Sequence, residues 1–297
     1  MQDTSEQSVT KIYFFLVIAN VLWGLNAIPA KLTVLELPPL TIAAMRFFFA
    51  SVIFLGLILY IEGRQALPSR RLLPGIIGLG ATGIFLNQFL FYTGVKYTTA
   101  INASLLPAAN PAMTAVFASF ILGDRLTAKQ WAGIVVSFAG VGIIVTKGSW
   151  EIVRSLDFNK GDILLAIAPI SWAIYSILGR LVMREISALA ATAWASVVGT
   201  GLLIIAAFLQ GFDGSVSLSP VGWASMIYMI LGSGVLAFYL SNIGVSTLGP
   251  NRAVMFCNII PLAGMIGAAV LLGEDIGFFQ TVGALLVIAG VWLTVRG

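Results

Sequence analysis

The residues best suited to chemistry in this chain are a few aromatic, amide and cationic side chains that interrupt long apolar stretches. Trp23, Asn26 and Lys31 share one face of a helix at the spacing i, i+3, i+8. Trp172 and Tyr175 lie on the equivalent face of a later stretch. An aromatic ring, polar or small groups and a cation on one face are suited to binding a solute. The chain offers no nucleophile with a recognisable base beside it.

Two cations, Lys31 and Arg46, lie inside apolar stretches. A charged side chain at membrane depth costs about 2.5–3.5 kcal/mol on insertion scales, so each one asks for a reason. Lys31 and its counterpart Arg180 have two interpretations: contact with a solute in a cavity, or snorkelling to the membrane surface. For Arg46 the alternative to solute contact is a structural role, in which the guanidinium caps backbone carbonyls. Lys31 and Arg46 are the predicted cations of the cavity.

Uncharged amides and phenols recur in the other stretches and suit a solute with polar and apolar parts. The predicted substrate-binding residues are Trp23, Asn26, Asn87, Tyr92, Asn102, Asn110, Trp172, Tyr175, Tyr239, Asn242 and Asn258. Any one of the polar residues could instead form an interhelical hydrogen bond. Pro111 and Pro261 each remove a backbone hydrogen bond inside a span, and we predict a hinge or gating role for both. A kink used only for packing is the alternative.

Composition places these residues in a lipid bilayer. The chain is 59% hydrophobic and only 9% charged, whereas roughly a quarter of the residues of soluble domains are charged. A spanning helix needs roughly 20 mostly apolar residues. Ten stretches qualify, at 12–35, 39–61, 73–95, 98–122, 128–146, 161–183, 188–210, 220–243, 251–272 and 277–295. The sixteen Lys and Arg residues are scattered among these stretches, so a nucleic-acid partner is excluded. The predicted fold class is an all-α polytopic membrane protein.

An internal repeat divides the chain. Residues 94–147 match residues 244–297 at a constant distance of 150 positions, as in Gly94/Gly244 and Pro111/Pro261. The domains predicted are a first repeat at 1–147, an outer linker at 148–160 and a second repeat at 161–297. Each repeat would hold five helices, and because five is odd the second repeat enters the membrane from the opposite side. Two inverted five-helix repeats are typical of transporters that bind their solute between the halves.

The distribution of basic residues predicts the orientation. With a cytoplasmic N-terminus, ten Lys and Arg residues fall on the inner side and four on the outer side. The positive-inside rule therefore favours both termini in the cytoplasm. The equivalent turns 123–125 and 273–275 show the same bias, since the first contains an Arg and the second is purely acidic.

The missing residue types narrow the chemistry. The chain has no histidine and a single cysteine, Cys257, so we expect no metal site and no cofactor. All twelve acidic residues lie at termini, turns or span ends, which favours facilitated transport over proton coupling. We expect no enzymatic activity. The sequence does not set the oligomeric state, and a monomer is allowed.

Several segments together resemble a known family. These are Leu22 to Asn26 with Lys31, Pro39 to Thr41 with Arg46, Tyr97 to Ala100, Asn110 with Pro111, and Gly123 to Leu126. They are similar to the repeat of EamA-type transporters of the drug/metabolite transporter superfamily, and the resemblance covers essentially the whole chain. It implies ten helices, alternating access and export of amino acids or other small metabolites across the bacterial inner membrane. Overall, the chain is most similar to exporters of aromatic and other neutral amino acids.

Three other functions are open at this point. A nucleotide-sugar or phosphorylated-metabolite exchanger belongs to the same superfamily, but its solute would favour more cations deep in the cavity. A membrane-embedded enzyme would need a catalytic group that can be named. A scaffold or receptor would not need polar and proline positions that recur in both halves.

Overall fold

The protein is a bundle of α-helices, which we number α1 to α10 in chain order; an interrupted helix keeps one number. The computed structural model describes residues 2–63, 67–248 and 253–296, and these contain no β-strand. The helices are α1 (Gln2–Gly24 and Ala27–Thr33), α2 (Pro39–Ile61), α3 (Leu73–Leu79, Gly80–Leu86 and Asn87–Tyr97), α4 (Ala100–Leu105, Leu106–Ala109 and Asn110–Ile121), α5 (Ala128–Thr146), α6 (Lys160–Val182), α7 (Ala188–Leu209), α8 (Pro220–Ile227, Tyr228–Leu236 and Ala237–Leu248), α9 (Val254–Asn258 and Ile259–Leu272) and α10 (Phe278–Arg296). A 3-10 turn, Arg70–Leu72, precedes α3, and a short helix, Trp150–Ser155, lies between α5 and α6.

Nine of these helices are long and apolar enough to span a membrane, as judged over the described residues. The apolar part of α9, Phe256–Leu272, is shorter than the others. The prediction of an all-helical membrane protein is therefore confirmed. The ninth predicted stretch, 251–272, begins outside the described residues, so the count of ten spans stays a prediction.

Local sequence explains where several helices begin and end. Thr127 and Gln130 form a capping box at the start of α5, in which each side chain binds the other residue's backbone N–H. Gln280 accepts from the backbone N–H of Gly277 in the same way before α10. The helices α4 and α9 are each followed by a glycine in the left-handed region, Gly123 at φ 74° and Gly273 at φ 68°. The two repeats therefore begin and end these helices with equivalent residues.

Four of the interrupted helices contain π-helical or 3-10 segments, and these segments match between the halves. Helices α3 and α8 contain π-helical segments, Gly80–Leu86 and Tyr228–Leu236. Helices α4 and α9 contain 3-10 segments, Leu106–Ala109 and Val254–Asn258. π-Bulges inside α-helices are frequent at functional sites. The sequence predicted the interruptions near the prolines but not the π-helical segments.

The packing of the helices follows the same pairing of halves. Helix α2 packs on α7, α4 on α9, and α5 on α10. The contacts α3–α6 and α8–α1 are equivalent, as are α4–α6 and α9–α1, and α3–α7 and α8–α2. The largest apolar cluster lies between these helices and includes the fully buried side chains of Ile42, Ile101 and Leu106. The largest contacts between the halves, over the described residues, therefore occur in matched pairs.

Candidate functional site

The guanidinium of Arg46 on α2 lies at the centre of a polar cluster inside the bundle. Only 9% of Arg46 is exposed. Its Nε donates to the carbonyl oxygen of Met229 at 3.1 Å, Nη1 to the hydroxyl of Tyr92 at 3.1 Å, and Nη2 to the hydroxyl of Ser233 at 3.3 Å. Tyr92 belongs to α3, whereas Met229 and Ser233 belong to the π-helical segment of α8. Arg46 therefore joins the two repeats.

Two residues of α1 complete this cluster. The Ser233 hydroxyl donates to Oδ1 of Asn26 at 2.6 Å, and the indole Nε1 of Trp23 donates to the Ser233 carbonyl oxygen at 3.0 Å. We call Trp23, Asn26, Arg46, Tyr92 and Ser233 the central cluster. Tyr92 and Ser233 are completely buried, whereas Trp23 and Asn26 are partly exposed. The cluster thus has a sealed side and an accessible side.

Within the described residues, the hydrogen-bond partners of Arg46 are all neutral. A guanidinium carries five N–H donors, and three of them are used here. The ring of Phe47 lies 5.4 Å from the guanidinium carbon and adds a cation–π contact. Buried cations are usually paired with an anion. Arg46 is therefore equipped to bind an anionic group such as a carboxylate.

The contact between α6 and α3 is the repeat equivalent of the contact between α1 and α8 in the central cluster, but it is apolar. Tyr175 on α6 packs against Gly83 in the π-helical segment of α3, where an added Cβ would lie 2.1 Å from the tyrosine ring. Trp172 packs against Tyr175 with the rings tilted by 41° and their centroids 5.2 Å apart. Gly83 and Ser233 are repeat equivalents, 150 positions apart. The Ser233 hydroxyl in the second repeat therefore corresponds to the space that the Tyr175 ring fills beside Gly83 in the first. Nearby, Asn87 donates from Nδ2 to the Ser171 hydroxyl at 3.2 Å.

Lys31 and Arg180 differ in their binding partners. Its Nζ donates to the carbonyl oxygens of Val95, at 3.1 Å, and of Thr98, at the end of α3. Arg180 is instead exposed and forms an ion pair with Asp124 at 2.8 Å. Lys31 therefore stabilises a helix C-terminus at a span end, whereas Arg180 lies at the surface, so snorkelling fits both cations.

Asn102 belongs to a second network, apart from Arg46. Its Nδ2 donates to Oδ1 of Asp162 at 3.0 Å, and its Oδ1 accepts from Nε2 of Gln280 at 2.8 Å. The hydroxyl of Thr98 also donates to Oδ1 of Asp162. We call Thr98, Asn102, Asp162 and Gln280 the Asp162 network. Asp162 lies at a span end, as the sequence indicated, but it is only 1% exposed.

The remaining predicted residues are dispersed. Tyr239 is 60% exposed, whereas its counterpart in the prediction, Tyr92, is buried. Asn110 is partly buried and its Oδ1 has no hydrogen-bond partner. Asn258 ends the 3-10 segment that precedes Pro261. The side chain of Asn242 lies outside the described residues.

Comparison with known proteins decides the family. The model of the EamA-like transporter family matches residues 10–146 and again residues 159–296. The chain belongs to the EamA-like transporter family. It is 34% identical over 287 residues to the uncharacterized transporter YyaM of Bacillus subtilis, covering 96% of this chain and 93% of that protein.

Some relatives of this EamA-like transporter have names that mention a substrate. A probable amino-acid metabolite efflux pump of Salmonella typhimurium is 26% identical, covering 96% of this chain and 94% of that protein. A probable terminal-alkyne amino-acid exporter of Streptantibioticus cattleyicolor is 29% identical, covering 77% and 75%. A solved crystal structure aligns with a TM-score of 0.65 at 19% identity, over 96% of this chain and 97% of the other. That likeness shows the fold alone.

The family settles the broad class of this EamA-like transporter. It is an integral membrane transporter, and neither the family nor these relatives are named as enzymes. Sequence reasoning named Trp23, Asn26, Arg46 and Tyr92 but missed Ser233 and Met229. The only available signal for Ser233 was a lone hydroxyl in the apolar run 229–236. Its equivalent, Gly83, carries no side chain, so the repeat did not mark it.

Proposed function

We propose that this protein exports neutral amino acids, chiefly aromatic ones, or closely related small metabolites across the cytoplasmic membrane of a bacterium. The names of the Salmonella typhimurium and Streptantibioticus cattleyicolor relatives support amino acids or their metabolites as the substrate class. The central cluster supports it as well, because it combines a buried guanidinium with partly exposed aromatic and amide groups.

The proposed architecture is ten spans in two inverted repeats. Gly133 of α5 faces Gly290 of α10, and Gly140 faces Gly283. The residue nearer the start of α5 thus meets the residue nearer the end of α10, so the two helices run antiparallel. Since α5 and α10 are repeat equivalents, this arrangement supports inversion. Together with the positive-inside count, it supports a cytoplasmic location for both termini.

One observation carries the mechanism: Arg46 joins α2 and α3 of the first repeat to α8 of the second by hydrogen bonds whose described partners are all neutral. Each such bond contributes about 1.5–3 kcal/mol because one partner is charged. A substrate carboxylate can replace these partners and form bidentate bonds with the guanidinium. Substrate binding would then loosen the contact between the halves, and the repeats could rock around the occupied site.

The other predicted residues have roles in this scheme. Trp23, Trp172 and Tyr175 would offer apolar surface to the substrate side chain. Pro111 and Pro261, next to the 3-10 segments of α4 and α9, would let those helices bend during rocking. The described partners of Arg46 include no carboxylate, which supports facilitated transport rather than proton coupling.

Efflux from proteoliposomes tests the proposal. The purified protein is reconstituted with labelled phenylalanine, leucine or a nucleotide-sugar inside, with and without an imposed pH gradient. We expect saturable efflux of phenylalanine, weaker efflux of leucine and none of the nucleotide-sugar, all independent of the pH gradient. Protein-free liposomes are the control. Efflux of the nucleotide-sugar alone would refute the substrate class, and dependence on the pH gradient would refute facilitation.

A further inference from the structure

A cavity of about 420 Å³ lies where the ends of α3, α5, α6 and α10 meet, away from the central cluster. Its wall includes Tyr97, Lys147, Asp162, Phe278, Phe279 and Gln280. In the proposed topology it lies on the outer side of the membrane. The Asp162 network forms the polar part of its wall.

The hydrogen bonds of this network all point towards Asp162. The backbone N–H of Gly277 donates to Gln280, Gln280 donates to Asn102, and Asn102 donates to Oδ1 of Asp162. The single hydroxyl proton of Thr98 is also directed at Oδ1. Oδ1 of Asp162 therefore acts only as an acceptor in this network.

The other oxygen of this carboxyl group has no partner among the described residues. Oδ2 of Asp162 is buried and has no hydrogen-bond partner. Neither Lys31 nor Lys147 binds Oδ2: Lys31 donates to backbone carbonyls, and Lys147 is exposed at the cavity wall. The nearby anion Glu274 accepts from the first backbone N–H groups of α4. A buried carboxylate oxygen without a partner is unfavourable, so the site lacks a donor that a ligand can supply.

The walls around this oxygen suit one kind of ligand. A primary ammonium carries three donors and a positive charge, which match the free capacity of Asp162. The rings of Phe278 and Phe279, with centroids 5.5 Å apart, provide an apolar wall. Lys147 supplies a cation for a carboxylate. Together these three features match the ammonium, side chain and carboxylate of an aromatic amino acid.

We propose that this cavity is a second substrate site, in which Asp162 binds the ammonium group of a neutral, preferentially aromatic, amino acid. The substrate class rests on the proposed function, whereas the site and the role of Asp162 do not. Oδ2 is buried in this conformation. The proposal therefore requires the Asp162 side chain to rotate towards the cavity when the ligand binds. Asp162 selects for a primary amine, and Lys147 adds selectivity for a carboxylate.

Binding to the purified full-length protein tests the site with three probes: phenylalanine, phenethylamine, which lacks the carboxylate, and 3-phenylpropionate, which lacks the ammonium. We expect Asp162→Asn to weaken phenylalanine and phenethylamine by about tenfold or more, as loss of a charged hydrogen bond implies. Binding of 3-phenylpropionate should not change. Asp157→Asn is the matched control, because Asp157 is exposed in the adjacent linker, and it should leave all three affinities within about twofold.

Lys147→Asn is the reciprocal variant and does not depend on the folding of Asp162→Asn. Asparagine tolerates the left-handed conformation of Lys147, which has φ 50°. We expect it to weaken phenylalanine and 3-phenylpropionate but not phenethylamine. Unchanged amine binding by a folded Asp162→Asn would overturn the proposal. An equal loss of all three probes, or no binding of either amine by the unchanged protein, would do the same.

The experiments distinguish failure of the Asp162 site from failure of the proposed amino-acid export. Amine binding that depends on Asp162, without any amino-acid efflux from proteoliposomes, would support this site and refute the proposed function. Amino-acid efflux with binding that ignores Asp162 would support the proposed function and refute this site.

Discussion

Gly133 on α5 and Gly290 on α10 bring the backbones of two repeat-equivalent helices into direct contact. A Cβ added at Gly133 would lie 2.6 Å from the carbonyl oxygen of Gly290. Cβ atoms in folded proteins essentially never lie within 3.0 Å of a non-bonded atom. The same contact recurs between Gly140 and Gly283, where the added atom would lie 2.7 Å from the carbonyl oxygen. The absence of side chains is therefore what allows this interface.

Replacing Gly133 with alanine should separate these helices. We expect Gly133→Ala to lower the free energy of unfolding by about 1–3 kcal/mol, the usual range for overpacking. The matched control is Gly142→Ala on the same helix, because an added Cβ there meets nothing within 4 Å. It should be neutral or stabilise by about 0.5–1 kcal/mol. Equilibrium unfolding in detergent measures both, and equal effects of the two variants would contradict the interface.

Replacing Arg46 with lysine should greatly reduce transport without unfolding the protein. Lysine keeps the charge but cannot bind Met229, Tyr92 and Ser233 in the fixed geometry of a guanidinium. Since each bond to a charged group contributes about 1.5–3 kcal/mol, we expect efflux to fall by about tenfold or more. Efflux from proteoliposomes with matched protein content measures this.

The control for Arg46 is Arg180→Lys. Arg180 lies in an exposed ion pair with Asp124, in which both side chains are at least 44% exposed. Exposed ion pairs contribute about 0–1 kcal/mol, so efflux should change by less than about threefold. Wild-type efflux by Arg46→Lys would show that the central cluster is not part of the transport path.

Removing one donor of the central cluster should have a smaller effect. Trp23→Phe loses the N–H that binds the Ser233 carbonyl oxygen but keeps a ring against Phe238, whose centroid lies 5.3 Å from that of Trp23. One neutral hydrogen bond contributes about 0.5–1.5 kcal/mol, so we expect efflux to fall by about two- to tenfold. Trp150→Phe, at a tryptophan that is 70% exposed in the linker helix, should change nothing. A larger loss in the linker variant would contradict this assignment.

The contact between the α1–α2 turn and the start of α8 should depend on pH. The hydroxyl and backbone N–H of Ser219 donate to Glu36, each at 2.7 Å. These bonds lower the pKa of Glu36 below its ordinary value of 4.5. A lowered pKa means that the stabilisation is fully present above the ordinary value and is lost as the pH falls through the folded-state value.

Melting temperatures between pH 7 and pH 3 measure this dependence. Wild type should melt above Glu36→Gln at neutral pH, and the difference should shrink below the ordinary pKa of 4.5. Glu151→Gln, at an exposed glutamate of the linker helix, should show no such difference. A constant difference between wild type and Glu36→Gln at every pH would contradict the role of the carboxylate.

Parts of the site could be predicted because a membrane restricts what a sequence contains. Trp23, Asn26, Arg46 and Tyr92 are visible because polar and charged groups are rare inside apolar stretches, and the structure brings all four together. Pro111 and Pro261 marked the interruptions of α4 and α9, because a proline removes a backbone hydrogen bond. Asn102 was named as a binding residue, but the structure places it in the Asp162 network. Asp162 was recognised as a span-end carboxylate, and its burial could not be predicted because burial depends on which helix ends meet.

The sequence by itself determined the helical membrane fold, the family and the repeat, since these follow from composition, apolar length and periodic glycine and proline positions. Only the tertiary structure decided which side chains share a site. Ser233 meets Arg46 across 187 positions, and Gln280 meets Asn102 across 178. Such contacts arise when the two repeats pack together, and no local pattern records the packing. The sequence gives the chemistry of each side chain, whereas the arrangement of the helices determines which partner it meets.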